Sequence, residues 1–117
     1  MDKLIIDAVW EKALVVEGYN PSILRKDCVG AWIMRQEYGN IDSLYGWEID
    51  HIYPVAKGGG DDIVNLRPMQ WQNNIAKGKD FPVYQTAIKA DGNRNVPSVR
   101  QLRVNDKLRI QLEQLYK

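Results

Sequence analysis

Residues 46 to 78 impose a local order of elements that the rest of the chain must accommodate. In "GWEIDHIYP" (46–54), Trp47, Ile49 and His51 alternate with Glu48, Asp50 and Ile52, the two-residue period of a strand with unlike faces, and Pro54 stops it. "KGGGDD" (57–62) holds no regular structure and reads as a flexible connecting loop. "IVNLRP" (63–68) is a second extended piece that can pair with the first across that loop. "MQWQNNIAK" (69–77) follows Pro68 and has Gly78 just past its end, the punctuation of a short helix. The order is therefore strand, loop, strand, helix.

The flanking segments add helices and a hairpin. "IIDAVWEKALVV" (5–16) places Ile5, Val9 and Ala13 at helical spacing, with Ile6, Trp10 and Leu14 beside them. For residues 27–39 the reading is a second helix, with Asp27 as N-cap and Gly39 beyond the C-terminus. Its alternative is a hairpin, because Val29, Trp32 and Ile33 also favour strands. "FPVYQTAIKADGNRNVPSV" (81–99) alternates about the turn signal "ADGN" and reads as a hairpin. Asn105 caps a final amphipathic helix, "DKLRIQLEQLYK", with Leu108, Leu112 and Leu115 on one face and Ile110 near its edge. The expectation is one α+β domain spanning residues 1–117.

Composition limits the possibilities. At 117 residues and 44% apolar content the chain suits one modest core. No stretch approaches the roughly 18 apolar residues of a membrane span, and "MDKLIIDAVWEKAL" lacks the basic start of a secretion signal. A cytoplasmic protein without a membrane partner is expected. The single cysteine, Cys28, excludes an internal disulfide and a Cys-rich zinc ribbon, and reads as a small packed residue. Net charge is only +1, yet residues 77–117 carry nine Lys/Arg against four Asp/Glu, while residues 1–76 carry seven against eleven. A basic C-terminal third can face phosphates. Lys79, Lys89, Arg94, Arg100 and Arg103 are the candidate track, with a plain solvated surface as the alternative.

His51 is the only histidine in the chain, and a lone histidine is ordinarily structural, so its surroundings decide. Asp50 and His51 end the first strand. Adjacent strand residues point to opposite faces, so the pair serves one small target only if the strand ends or bends there, as Pro54 implies. On the short helix, Gln70, Asn74 and Lys77 stack along one face, and Trp71 and Ile75 occupy a neighbouring stripe suited to the core. Gly58-Gly59-Gly60 lacks the ending of a phosphate-binding P-loop, and Asp61-Asp62 does not match a calcium loop. Glu48 reads as solvated.

The run D-H (50–51), then N-L (65–66), then N-x-x-K-G (74–78) resembles the HNH endonuclease signature, over roughly residues 45–80; "DCVGAWIMRQEYGN" upstream is more loosely similar to small bacterial and phage HNH proteins. The resemblance implies a ββα-metal core carrying N-terminal helices, a C-terminal hairpin and a C-terminal helix. It implies His51 as general base, Asp50 as metal ligand, and Asn65 as the residue that holds the loop and orients the base. Asn74 would complete the metal site, with Asn73 as the alternative ligand, and Lys77 would be a basic residue near the phosphate. Gln70 and Asn73 stand where many members have the second cysteine pair of a structural zinc, so no zinc is expected and the apolar core, with Trp47 and Trp71, must suffice.

These residue types suit phosphodiester hydrolysis. Histidine titrates near pH 6.5 and can accept a proton at neutral pH. A divalent cation can stabilise charge at phosphorus and on the departing oxygen, and two hard oxygen ligands suit Mg²⁺, with Mn²⁺ similar. The expected activity is metal-dependent DNA cleavage, as nicking in a monomer, with RNA as another possible substrate. The alternatives are a binding or regulatory protein with little turnover, and an accessory nuclease of a phage-packaging or defence assembly, docked through the exposed face of the C-terminal helix.

Overall fold

The computed structural model describes all 117 residues as a mixed α+β fold of three helices and small antiparallel sheets. Helix α1 (Lys3–Trp10) begins at Asp2, whose carboxylate accepts from Ile5 N at 3.0 Å. It stops several residues before Leu14, which instead forms an isolated bridge with Lys26.

The helix expected over 27–39 is a hairpin. Strands β1 (Leu24–Lys26) and β2 (Trp32–Met34) pair antiparallel, with Lys26 opposite Trp32. The turn between them explains the difference. The Asp27 carboxylate accepts from Val29 N at 3.0 Å and Ala31 N at 2.9 Å, and Gly30 sits at φ +95, so the capping residue closes a turn on itself. α1 is thus the single α-helix N-terminal to the central hairpin, with one 3₁₀ turn at Arg35–Glu37.

That hairpin is β3 (Trp47–His51) with β4 (Leu66–Gln70), in antiparallel register from Trp47↔Gln70 to His51↔Leu66, and helix α2 (Trp71–Lys77) follows directly. The hairpin separates two apolar clusters. Trp47 and Leu66 join Val9, Trp10, Ala13 and Ile33 on one side; Ile52, Tyr53 and Met69 join Val29, Tyr84, Val104 and Leu112 on the other.

The C-terminal hairpin is split in two. β5 (Val83–Gln85) pairs with β8 (Gln101–Arg103), and β6 (Ile88–Asp91) with β7 (Arg94–Pro97) around the expected turn. Between the halves, Asn73 of α2 accepts from Ala87 N and Ile88 N, each at 2.8 Å, which redirects the strand. Helix α3 (Asp106–Tyr116) starts at Asn105, whose side chain accepts from Leu108 N. Of its apolar positions Leu112 is buried, Leu108 is half-buried, and Ile110 and Leu115 are exposed. No helix is long and apolar enough to cross a membrane. Cys28, expected to be packed, is exposed, with Sγ 4.0 Å from the Tyr84 hydroxyl.

Candidate active site

β3 ends at His51, and the chain turns through Pro54 into a single 3₁₀ turn, Val55–Lys57. Because the strand ends there, Asp50 and His51 line one open cleft of about 270 Å³ despite their opposite facing within β3. Asn74 and Gly78 from α2 and its end, Lys79, and Val55 and Ala56 complete the walls.

His51 is held by a partner that the sequence did not single out. Its Nε2 lies 2.7 Å from Asp61 Oδ1. A carboxylate only accepts, so a neutral His51 carries its proton on Nε2 and keeps its lone pair on Nδ1. Asp61 lies ten residues on, across the glycine loop, and only the folding back of that loop brings the two together.

The loop is ordered rather than a loose connection. Asn65, fully buried, accepts from Tyr53 N at 2.7 Å and donates to Tyr53 O at 3.0 Å and Gly60 O at 2.9 Å. These three bonds tie the loop to the residue that follows β3 by two. Gly58 has φ +101, and a Cβ on Gly59 would lie 1.8 Å from Tyr53 O, so each glycine answers a different backbone requirement. From α3, the Tyr116 hydroxyl donates to Asp62 Oδ2 at 2.8 Å and approaches Gly60 O at 3.3 Å.

Asp50 is 3% exposed and lies between two cations: Oδ2 accepts from Arg67 Nε at 2.8 Å, and Oδ1 is 3.2 Å from Lys77 Nζ. Arg67 is its cross-strand neighbour in register. Lys77, expected near a phosphate, is only 1% exposed and turns inward, where Nζ also donates to His51 O at 3.2 Å. Burial lowers its ammonium from the usual lysine range, and the Asp50 carboxylate opposes that shift. Lys77 therefore positions Asp50 and the His51 backbone, and exposed Lys79 is the cation that lines the cleft.

The adjacent asparagines have separate surroundings. Asn73 is fully buried with its amide saturated: beyond the two N–H groups it accepts, Nδ2 donates to Ile88 O at 3.0 Å and Asp27 Oδ2 at 3.2 Å. Asn74 faces the cleft, and its side chain makes no hydrogen bond within the chain. The buried positions of α2 are thus Asn73 and Lys77, in line with its buried capping residue Gln70. Ile75, expected in the core, is 70% exposed, and Trp71 is half-buried with its indole donating to Ser43 O at 2.8 Å.

Gln70 and Asn73 meet around Asp27, where an apolar core alone was expected to hold the fold. Asp27 is wholly buried, and its Oδ2 accepts from Gln70 N at 2.9 Å as well as from Asn73. Burial raises this carboxyl, and the N–H donors around it act against that rise.

Asp50 and Asn74 bring two oxygen-bearing side chains to one cleft, with both Asp50 oxygens already facing protein cations. A carboxylate has about four lone-pair sites; protein donors engage Asp50 from two sides, and the Asn74 amide oxygen is free. Asp50 and Asn74 are the residues that could hold Mg²⁺ or Mn²⁺, weakly because one carboxylate faces two basic groups. Glu48 is half-buried and does not line the cleft.

The expected phosphate track is only partly available. Lys89, Arg94 and Arg103 are exposed but line no part of the His51 cleft, and Arg100 is committed to Val29 O at 2.7 Å. Set against known proteins, the chain matches no family model, no curated protein and no solved structure.

Proposed function

We propose that the chain is a metal-dependent endonuclease of the HNH type, hydrolysing DNA phosphodiester bonds by way of a ββα-metal core formed by β3, β4 and α2. The observation that carries this reading is the meeting of Asp50, His51 and Asn74 in one cleft, with Asn65 pinning the loop behind it. The D-H and N-x-x-K-G parts of the signature thus contribute Asp50, His51 and Asn74 to one cleft, which supports this reading.

In this reading His51 removes a proton from the attacking water through Nδ1, while Asp61 keeps the other ring nitrogen protonated and fixes the ring. Lys79 offers a positive charge to the phosphate at the cleft wall. Lys77 and Arg67 hold the Asp50 carboxylate in place. A divalent cation held by Asp50 and Asn74 would supply charge stabilisation at phosphorus and on the departing oxygen.

A second reading has its own support: the two cations against Asp50 weaken a metal site and favour a nucleic-acid-binding protein with little turnover. Incubation of supercoiled plasmid with Mg²⁺, Mn²⁺, Zn²⁺ or EDTA, beside His51→Ala, separates the two. The nuclease reading expects open-circle product that requires Mg²⁺ or Mn²⁺ and vanishes in the folded variant. Product that survives the substitution overturns the assignment of His51. No product with any metal, from protein that retains DNA, selects the second reading.

A further inference from the structure

Behind the His51 cleft lies another, of about 300 Å³, between α3 and the segment entering β5. Four cations line it: Lys57, Arg103, Arg109 and Lys117. Tyr53 and Phe81 contribute aromatic walls, their ring centroids 4.9 Å apart at 60°. The acidic groups that face these cations are Glu113, which pairs with Arg109 and Lys117, and Asp106, which lies 3.4 Å from Arg109 and 3.7 Å from Arg103. Positive charge remains in excess, and Lys57 has no carboxylate partner. Tyr53 is buried in the core and Phe81 is half-buried against it, so Phe81 is the aromatic edge that the cations border; a single nucleic-acid strand uses such a pairing, phosphates on the cations and a base on the ring.

The two clefts share their dividing wall. Val55 and Ala56 line the His51 side and Lys57 the other, within a single 3₁₀ turn. Similarly, Gly78 and Lys79 line the first cleft, and Phe81 and Pro82 the second. Ala56 and Lys57 are adjacent in the chain, so the two clefts lie side by side.

We infer that the cleft between α3 and β5 is a second subsite for the DNA strand, holding a phosphate on Lys57, Arg103, Arg109 and Lys117 and a base against Phe81, next to the phosphate at His51. The inference rests on the nuclease reading for what occupies the first cleft. The cation cluster itself was not evident along the sequence, where only Arg103 of the four stood among the phosphate-facing candidates.

The test is fluorescence anisotropy with a labelled single-stranded DNA oligonucleotide, in EDTA and on the His51→Ala background so that nothing is cut. Lys57→Glu and Arg103→Glu are compared with Lys3→Glu, an equal charge reversal on α1, and circular dichroism verifies the fold of each. Lys57→Glu and Arg103→Glu are each expected to weaken binding about tenfold at low salt and to lower the slope of log affinity against log salt by roughly 0.7 per lost contact. Lys3→Glu is expected to stay within about twofold of the parent. Parent-like binding by Lys57→Glu and Arg103→Glu overturns the subsite, as does a parent that binds no oligonucleotide. Plasmid cleavage is scored separately in proteins retaining His51. Cleavage with unaltered binding in the variants removes the subsite and leaves the nuclease reading standing. Lost binding in the variants without cleavage by the parent keeps the DNA contact and removes the nuclease.

Discussion

Asn73 and Asn74 are neighbours in sequence, and alanine should affect them in opposite ways. Asn73→Ala strands Ala87 N, Ile88 N and Ile88 O, while Asp27 Oδ2 keeps its bond from Gln70 N. At about 1 to 1.5 kcal/mol for each polar group left without a partner, the cost is about 3 to 5 kcal/mol. A domain of this size has on the order of 6 to 15 kcal/mol in total. Urea unfolding, with a slope of about 1.5 kcal/mol per molar, should show the midpoint falling by about 2 to 3 M. Asn74→Ala removes a half-exposed side chain that bonds to nothing in the chain, and alanine favours the helix slightly, so its midpoint should stay within about 0.3 M of the parent. Plasmid cleavage should nonetheless fall at least tenfold in Asn74→Ala. A neutral Asn73→Ala, or an Asn74→Ala as destabilised as its neighbour is expected to be, would refute the division of roles between the two amides.

Asp61→Asn should slow cleavage about five- to tenfold with little change in melting temperature, since the lost contact is a charged hydrogen bond at an exposed residue; an unchanged rate would reduce the contact to a surface pair. Gly59→Ala forces a Cβ against Tyr53 O and should unfold the loop, whereas Gly58→Ala meets no atom and should cost about 1 kcal/mol through its positive φ, a contrast read by thermal melts. Lys3 and Arg35 hold Asp7 below its ordinary 3.8, and Lys117 and Arg109 hold Glu113 below 4.5. The stability from these pairs is fully present above those values and is lost as pH falls through the lowered folded ones. The urea midpoint should therefore decline below about pH 4.5, and less steeply in the double variant Asp7→Asn, Glu113→Gln. EDTA should stop cleavage without shifting the melting temperature, because Gln70 and Asn73 are tied to Asp27 by hydrogen bonds alone.

Legibility followed the range of the interactions. The β3–β4–α2 order could be read because alternation, glycine, proline and helix punctuation all lie within a few residues of the structure they specify. The α3 cap at Asn105 was legible for the same reason. Residues 27–39 misled because the turn at Asp27 uses a capping residue type without a helix, and only pairing with Leu24–Lys26 settles the strand. The buried side of α2 was misassigned because apolarity marked Ile75 as interior, whereas the interior there is polar and takes Gln70, Asn73 and Lys77 through partners up to 46 residues away. Asp61 was missed because its closeness to His51 is produced by a loop with no periodicity of its own. The inward turn of Lys77 could have been suspected from its place at i, i+7 from Gln70, on the side of α2 that meets β3.

Asp27 also bears on how the chain folds and breathes. Its carboxylate reaches Gln70 and Asn73, 43 and 46 residues away, and Asn73 in turn joins Ala87 and Ile88. Closing such long separations before any reward is collected makes folding slow relative to helical proteins of this length. Once closed, the Gln70–Asn73 segment cannot open without stranding buried polar groups in both of the others, which couples the three in unfolding. The amides of Ala31, Gln70 and Ile88 are then expected to share one opening free energy in hydrogen exchange, that of global unfolding. His51 and Asn74 sit at the margin of this unit, so the cleft is built against the part of the fold held most cooperatively, with exposed Asp61 reaching His51 from the loop.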